Sequence, residues 1–362
     1  MYDIAIVGAG INGSSVAFEF IKAGKKVLIF DENSIAGGGS GAAGAFISPK
    51  FSKAGELKEL IHEAFVYTTE FYEKNFPDIY TKTRLLHLAK DEEDAEVLKS
   101  YKKNTPLTLY EDDTCEGEYV SIDSGIVDAK NMCETLCKGA IFKNEKIKTL
   151  VYEDSYWVLN DTFAAKELVL ATGAYKSLLD EPYIKLRGVW GHRIDIKTST
   201  QNEKSIHQFV SISPNKDGVL AIGATHNVNY YPESSKEPYD MSEGRVELLE
   251  KATRTLDLRD VEILKDHVGL RSGSFDYMPL LGRIVNSKET LAGGEKNIRV
   301  KKPEFDMFNY YPNLYMINGN GGYGFVLAPY LAKKLLEYIL KGKKIDDRLS
   351  PARFFARWVK RA

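Results

Sequence analysis

The chain has 362 residues, 43% of them hydrophobic, and its 49 basic and 51 acidic residues leave a formal net charge of -2. That is enough apolar chain for a large core shared by two domains, and it excludes a uniformly basic protein. No apolar run approaches the roughly twenty residues needed to cross a bilayer, and Met1 leads into a core strand without a signal-peptide n-region, so a soluble, cytoplasmic protein with no membrane association is expected. Three cysteines argue against a disulfide framework, and Cys133 with Cys137 at i, i+4 spacing read as one packed helix face. The six histidines show no ligand spacing, so no metal site is expected.

In chain order, Met1 to Asp31 predict a complete dinucleotide-binding unit. It comprises an apolar strand (Ile4 to Val7), the turn Gly8-Ala9-Gly10-Ile11-Asn12-Gly13, and an amphipathic helix with apolar Val16, Ala17, Phe20 and Ile21. A second strand (Val27 to Phe30) and a terminal acid complete it. A pyrophosphate is bound by backbone N–H groups at a helix N-terminus, where the first amides have no internal partner and the macrodipole is positive. Gly8 permits the tight turn, Gly10 removes a side chain that would block the phosphate, and Gly13 lets the helix approach the strand. Asp31, with Glu32 beside it, follows Gly13 by roughly twenty residues, where a carboxylate accepts the ribose hydroxyls. An acid there disfavours the 2′-phosphate of NADP.

Gly37 to Gly44, which includes Gly39, Ser40, Gly41 and Ala43, is too small and flexible to be an element in its own right. It reads as a surface linker or, because it runs into apolar Ala45-Phe46-Ile47-Ser48-Pro49, as a passage through the interior beside something bulky and flat. Lys50 then either approaches that ligand or is an ordinary surface lysine. Asp91-Glu92-Glu93-Asp94 reads as the solvated start of a helix. Alternation in Arg84 to Ala89, Gly188 to Lys197, Phe209 to Ser213 and Gly218 to Gly223 predicts an antiparallel sheet, and Met241 to Asp257 a helix with Ser242 as N-cap.

Lys166 to Leu170 reads as a buried strand ending in the small turn Ala171-Thr172-Gly173-Ala174. Asn313 to Asn318 repeats that pattern into Gly319-Asn320-Gly321-Gly322-Tyr323-Gly324, followed by a helix over Phe325 to Leu340. A second helix beginning aimed at a ligand suits a cofactor with two polar ends. From Lys333 onward ten basic residues stand against three acidic ones, a local excess of +7, interleaved with Phe354, Phe355 and Trp358. These aromatics either stack on nucleic-acid bases or dock an amphipathic terminal helix onto the body.

The set GxGxxG with Asp31, Gly39-Ser40-Gly41, Ala171-Thr172-Gly173, Gly269-Leu270-Arg271 with Asp276 and Pro279-Leu280-Leu281-Gly282, and Gly319 to Gly324 with Ala328-Pro329 resembles the FAD-dependent D-amino-acid oxidase (DAO) superfamily. That superfamily includes glycine and sarcosine oxidases, and the resemblance covers nearly the whole chain. Three features are similar to the oxidase domain of the bifunctional tRNA 5-methylaminomethyl-2-thiouridine biosynthesis family. They are Ser40-Gly41-Ala42-Ala43-Gly44-Ala45 leading to Pro49, a helical segment with Ala64-Phe65 and Phe71-Tyr72, and the ending Leu349-Ser350-Pro351-Ala352-Arg353-Phe354. The sequence departs from that family by starting on the first strand at Tyr2, so any methyltransferase partner would be a separate protein. It also carries Trp190-Gly191-His192 where an Arg-Gly-Gln run often opens the substrate domain.

The resemblance implies an α/β fold: a Rossmann-like FAD-binding domain of the GR2, DAO-like type with an inserted α+β substrate domain built on an antiparallel sheet. Residues 1–80, 125–185 and 265–362 are expected in the FAD domain, and 81–124 and 186–264 in the substrate domain. With no cysteine in the flavin-proximal motifs, FAD is expected to bind noncovalently. Gly8, Gly10, Ile11, Asn12, Gly13, Asp31, Glu32, Gly39, Ser40, Gly41, Ala43, Ala171, Thr172, Gly173, Arg271 and Asn320 to Gly324 (Gly321, Gly322, Tyr323) are expected to hold it. Arg271, at the end of a strand over His267 to Leu270, matches the family position that binds a substrate carboxylate; alternatively it is a surface arginine paired with Asp276. Tyr323, His192 and Arg193 are weaker candidates for the substrate pocket, each with a solvent-facing alternative. The activity implied is oxidation of the secondary amine of an N-substituted glycine, with either a tRNA wobble uridine carrying a carboxymethylaminomethyl group or a free small amino acid as substrate.

Overall fold

The computed structural model describes residues 1–175, 178–230, 239–293, 296–300 and 303–361. Two sheets organise it. The first contains β1 (Tyr2–Val7), β2 (Val27–Asp31), β6 (Ile141–Asn144), β7 (Leu150–Glu153), β8 (Tyr156–Leu159), β9 (Phe163–Leu170), β15 (Leu280–Val285) and β16 (Tyr310–Asn318), in the order β15-β16-β9-β1-β2-β6, with the β7-β8 hairpin on β9. The neighbours from β16 to β6 run parallel, and β15 is antiparallel.

These central strands read as unbroken apolar runs because both faces are covered. Ile4, Ile6, Val27, Ile29, Val169 and Ile317 pack with α1 (Ile11–Lys22), α2 (Glu56–Asn75), α4 (Ala129–Leu136) and α7 (Gly324–Lys341). Alternate residues Ala5, Val7, Leu28, Phe30, Leu168, Leu170 and Met316 face the opposite way, onto a cluster that includes Trp157, Phe308 and α8 (Ala352–Trp358). Cys133 and Cys137 are both buried, and the Cys137 thiol lies 3.3 Å from Ser14 Oγ of α1.

The second sheet contains β3 (Phe46–Ile47), β4 (Tyr80–Leu88), β5 (Tyr119–Val127), β10 (Leu186–Lys197), β11 (Ser205–His207), β12 (Ser211–Ile212), β13 (Val219–Gly223) and β14 (Glu262–Ser274), in the order β14-β10-β13-β12-β11-β4-β5-β3. All its pairings are antiparallel except β4 with β11. The expected cuts at 124/125 and 264/265 fall inside β5 and β14, and Phe46–Ile47, expected in the first domain, pairs with β5. A hydrogen-bonded strand belongs to one sheet along its length, and β4 (Tyr80–Leu88) likewise spans the expected cut at 80/81.

Side chains of β10 alternate. Ile194 and Ile196 pack against Leu248 and Ala252 of α5 (Ser242–Thr253), whereas Gly191 and Arg193 face the first sheet's helical openings. Ser242 is not the cap expected of it. Its amide donates to Asp240 Oδ1 at 2.9 Å, its hydroxyl donates to the same oxygen, and no side chain caps α5. Asp91 does cap α3 (Glu92–Asn104), accepting from Asp94 N at 2.8 Å, and α6 (Ser287–Ala292) is capped by Asn286.

The terminal aromatics take the docking role. Phe355 is fully buried, with ring centroids 4.8 Å from Phe308 and 5.5 Å from Tyr183, and Phe354 is 7% exposed. Arg353 donates to Asp276 at 3.0 and 2.9 Å and to the carbonyls of Leu349, Ser350 and Met278. The base-stacking expectation for Phe354 and Phe355 is therefore overturned: the apolar face of α8 closes the core below the first sheet, and burial of that face outweighs any exposed use of it.

Two outcomes are expected. Phe355→Ala removes a fully buried ring and lowers stability by about 3–5 kcal/mol, measured by urea denaturation. His87 and His207 are held neutral by burial, His207 down to about 3 from the ordinary 6.5. The unfolded chain therefore binds more protons, so their contribution is complete above the unfolded value and is lost as pH falls toward the folded one. The urea midpoint should decline from about pH 6.5 to about pH 4, with a shallower slope in His207→Leu.

Candidate active site

A cavity of about 1120 Å³ lies between the two sheets and is lined from both. It begins where β1 turns into α1. Gly8 has a φ of 104°, and a Cβ there would stand 2.3 Å from the Ala171 carbonyl oxygen; one on Gly13 would stand 1.8 Å from the Gly8 oxygen. Only glycine permits this approach. Ser40 Oγ accepts from the first helical amide, Ile11 N, at 2.9 Å, and lies where a Cβ on Gly10 would meet it at 2.9 Å.

Asp31 closes this end. Its carboxylate accepts from Ala9 N at 2.9 Å and Asn33 N at 3.0 Å, and burial still raises its pKa above the ordinary carboxylate value. Glu32, also on the wall, pairs with Lys146 Nζ at 2.8 Å. Lys146 belongs to the stretch from Glu145 to Lys148 after β6, which lines the cavity and was not anticipated. Its signal was Ile147, a lone apolar residue in a charged run and only 3% exposed.

The small-residue passage after Asp31 presses against the second sheet. A Cβ on Gly39 would lie 2.5 Å from the Leu270 oxygen, and one on Gly269 would lie 2.9 Å from Gly39 Cα. At the far end a single turn, Gly321–Tyr323, leads into α7. Asn320 Nδ2 donates to Asn12 Oδ1 at 2.6 Å, linking the two helix beginnings. Asn318 accepts from Ser272 Oγ and Gly319 N and donates to the Gly173 oxygen, tying β14 to the turns at Gly173 and Gly319.

Of the residues expected at the cofactor, Gly8, Gly10, Ile11, Asn12, Asp31, Glu32, Gly39, Ser40, Ala43, Ala171, Thr172, Gly173, Arg271 and Asn320 to Gly324 line the cavity. Gly13 and Gly41 stand behind the wall and pack against backbone. Tyr323 lines the cavity, burial pushes its hydroxyl up to about 12, and Lys50 Nζ lies 5.6 Å from its ring centroid. Arg271 does not pair with Asp276, which is taken by Arg353 and Arg357. Its guanidinium crosses Gly191, where a Cβ would meet it at 2.6 Å, and donates to the Thr225 carbonyl at 3.0 Å.

His192 is corrected. It is fully buried on the α5 face of β10, with Nε2 2.8 Å from Asp266 Oδ1, and it does not line the cavity. Alternation along the strand forces this: Arg193 faces the cavity, so His192 cannot. His226 and Arg187, not anticipated, also line it; burial first, then Arg271 and Arg187, lowers the His226 pKa.

The site fits a dinucleotide with a second large ring system. Its volume exceeds the roughly 300–1,000 Å³ of common small-molecule pockets. Its two ends are helix openings, where the macrodipole is positive, and a carboxylate stands at the end of β2. FAD would be held by Gly8 to Asn12 and Ser40 at the diphosphate, by Asp31 and Glu32 at the ribose, and by the turn Gly319 to Gly324 at the flavin.

Comparison with known proteins agrees with this geometry. A family described as DAO, FAD dependent oxidoreductase, matches residues 3–338. Similar curated proteins include the tRNA 5-methylaminomethyl-2-thiouridine biosynthesis bifunctional protein MnmC of Campylobacter jejuni subsp. doylei, 25% identical over 99% of this chain and 59% of that protein. The protein of the same name from Legionella pneumophila (strain Lens) is 22% identical over 98% and 57%. The chain thus spans somewhat more than half the length of these relatives. Similar solved structures include glycine oxidase from Geobacillus kaustophilus (TM-score 0.75, 21% identity, 98% of this chain and 97% of that one). Another is iminodiacetate oxidase from Chelativorans sp. BNC1 (TM-score 0.73, 17% identity, 96% and 98%). With the match running from the first strand through most of α7, the chain belongs to the DAO family of FAD-dependent oxidoreductases.

Proposed function

We propose that the protein oxidises the secondary amine of an N-substituted glycine. The observation that carries this reading is the Arg271 guanidinium, set in the cavity wall with no carboxylate within ion-pairing reach among the described residues. A guanidinium removed from water is costly unless an anion meets it, and a substrate carboxylate does so through two parallel charge-assisted hydrogen bonds. Arg271 and Lys50 both line the cavity and put positive charge on its wall. A neighbouring positive charge disfavours protonation of the amine, leaving its lone pair free. FAD, when bound, supplies the acceptor for the hydride that leaves the glycyl carbon. Water then hydrolyses the resulting imine to glyoxylate and a primary amine.

The substrate we infer is the carboxymethylaminomethyl group of a tRNA wobble uridine. Its supports are the names of the curated relatives and the cavity mouth, where Arg187 lies 4.6 Å over the Tyr277 ring and Tyr277 and nearby Phe275 are each 60% exposed. Exposed aromatics beside a cation suit unpaired bases. A free glycine, sarcosine or D-amino acid is the second reading, favoured by the burial of Phe354 and Phe355, which removes those two rings from any RNA surface.

Anaerobic mixing with hypomodified tRNA, sarcosine and glycine, followed by flavin absorbance, tests both. Bleaching by the tRNA is expected; bleaching by the small amines alone selects the second reading, and none by any amine refutes both. Arg271→Ala should cost about 2–5 kcal/mol of substrate affinity, or roughly thirty-fold to several thousand-fold in the half-saturating concentration, with Arg271→Lys intermediate. An unchanged half-saturation would remove Arg271 as the carboxylate anchor.

A further inference from the structure

Beyond β13 the chain continues along β10. Trp190 and Asn227 exchange backbone hydrogen bonds at 2.9 Å in both directions, and Thr225 N donates to the His192 carbonyl at 3.0 Å, so the register sets His226 directly opposite Gly191. Opposite residues share a face of the sheet, with Cβ positions about 5 Å apart. On that face the Arg271 guanidinium takes the room of the absent Gly191 side chain, 2.6 Å from where a Cβ would stand. Arg271 also donates at 3.0 Å to the carbonyl of Thr225, the residue before His226. Imidazole and guanidinium are therefore neighbours. Both residues line the cavity, and His226 is exposed with no hydrogen bond or ion pair among the described residues.

An amino acid carries its amine on the carbon that bears the carboxylate, so the group that anchors one puts the other within a side chain's reach. At neutral pH an alkyl amine arrives as an ammonium ion. It then has no lone pair to assist departure of a hydride from the neighbouring carbon, and one proton has to leave first. Among the described residues the acids on the cavity wall, Asp31, Glu32 and Glu145, stand at the ends of β2 and β6, where the dinucleotide would lie. The charged groups facing His226 are Arg271 from β14 and Arg187 from β10, which cannot accept a proton.

We propose that His226 is the catalytic base for the amine: its imidazole takes one ammonium proton once the substrate carboxylate is seated on Arg271. The inference rests on Arg271 as the carboxylate anchor and deepens that reading. One N–H bond of the ammonium breaks, its electron pair stays on nitrogen, and the proton passes to the imidazole, which returns it to solvent. Burial first, then Arg271 and Arg187, holds the imidazole below its ordinary 6.5, so it is neutral and able to accept. A carboxylate on Arg271 answers that charge and sets a negative one beside the ring, which favours the imidazolium. Seating the substrate thus prepares the base.

The first test uses methoxyacetate, a carboxylate with an ether oxygen in place of the amine, titrated into the holoprotein and followed by the flavin spectrum. Its binding should carry a proton onto His226, so affinity in the wild type rises as pH falls from 8 to 6, about tenfold for a one-unit rise in the imidazole's pKa, and stays flat in His226→Gln. Burial keeps the other two histidines on the cavity wall, His87 and His207, neutral down to about 4 and about 3, outside that window. The second test is anaerobic flavin reduction by sarcosine and by hypomodified tRNA. His226→Gln should slow it roughly a hundredfold at pH 7, and the gap should close toward about pH 10, where the amine is neutral in solution.

The same pH dependence of methoxyacetate binding in both proteins, or a rate loss of equal size at pH 7 and pH 10, overturns the base while the anchor stands. If Arg271→Ala binds methoxyacetate as tightly as the wild type, or the wild type does not bind it, the anchor has failed and the base falls with it.

Discussion

Backbone meeting backbone is the constraint on which this molecule depends. At Gly8 against Ala171, and at Gly39 against Leu270, main-chain atoms come closer than any Cβ would allow. The first contact packs two parallel strands' exit turns at one end of the cavity. The second presses the loop after β2 onto β14 and so fixes the spacing of the two sheets. A cofactor whose diphosphate must touch amides directly needs walls of this kind, because each side chain added there would take the room the phosphate uses.

Given that spacing, charge does the rest. The described arginines divide by partner. Arg353 spends its donors on Asp276 and three carbonyls and holds α8 in place, whereas Arg271 has one carbonyl and faces the cavity. The first is structural because its ion pair is complete. The second is a binding group because its pair is not. Arg193 stands between them, beside Asp195 yet with Nε unsatisfied. This grading from paired to unpaired cation leaves the cavity one place suited to an anion, at Arg271.

Much of the site was legible in the order of residues. The turn Gly8 to Gly13, the acid at Asp31, the passage Gly37 to Gly44 and the turn Gly319 to Gly324 all lie in or against the cavity, and Arg271 does too. These are cases where the local backbone itself demands a residue type, so the demand leaves a mark in the chain. The stretch Glu145 to Lys148 left only a faint one, since its position on the wall follows from β6 pairing with β2 rather than from its own conformation.

The sequence by itself determined the dinucleotide unit, the two helix openings and the alternation of the second sheet, because glycine turns and apolar periodicity are short-range properties. Tertiary structure decided which face of β10 meets the cavity, and so that Arg193 and not His192 reaches it. It decided that Asp276 belongs to Arg353 rather than Arg271, and that Phe354 and Phe355 are buried under the first sheet. Each of these turns on which surfaces cover one another. Pairing and burial between segments far apart in the chain are set by the register and closure of the whole fold, and no local pattern encodes them.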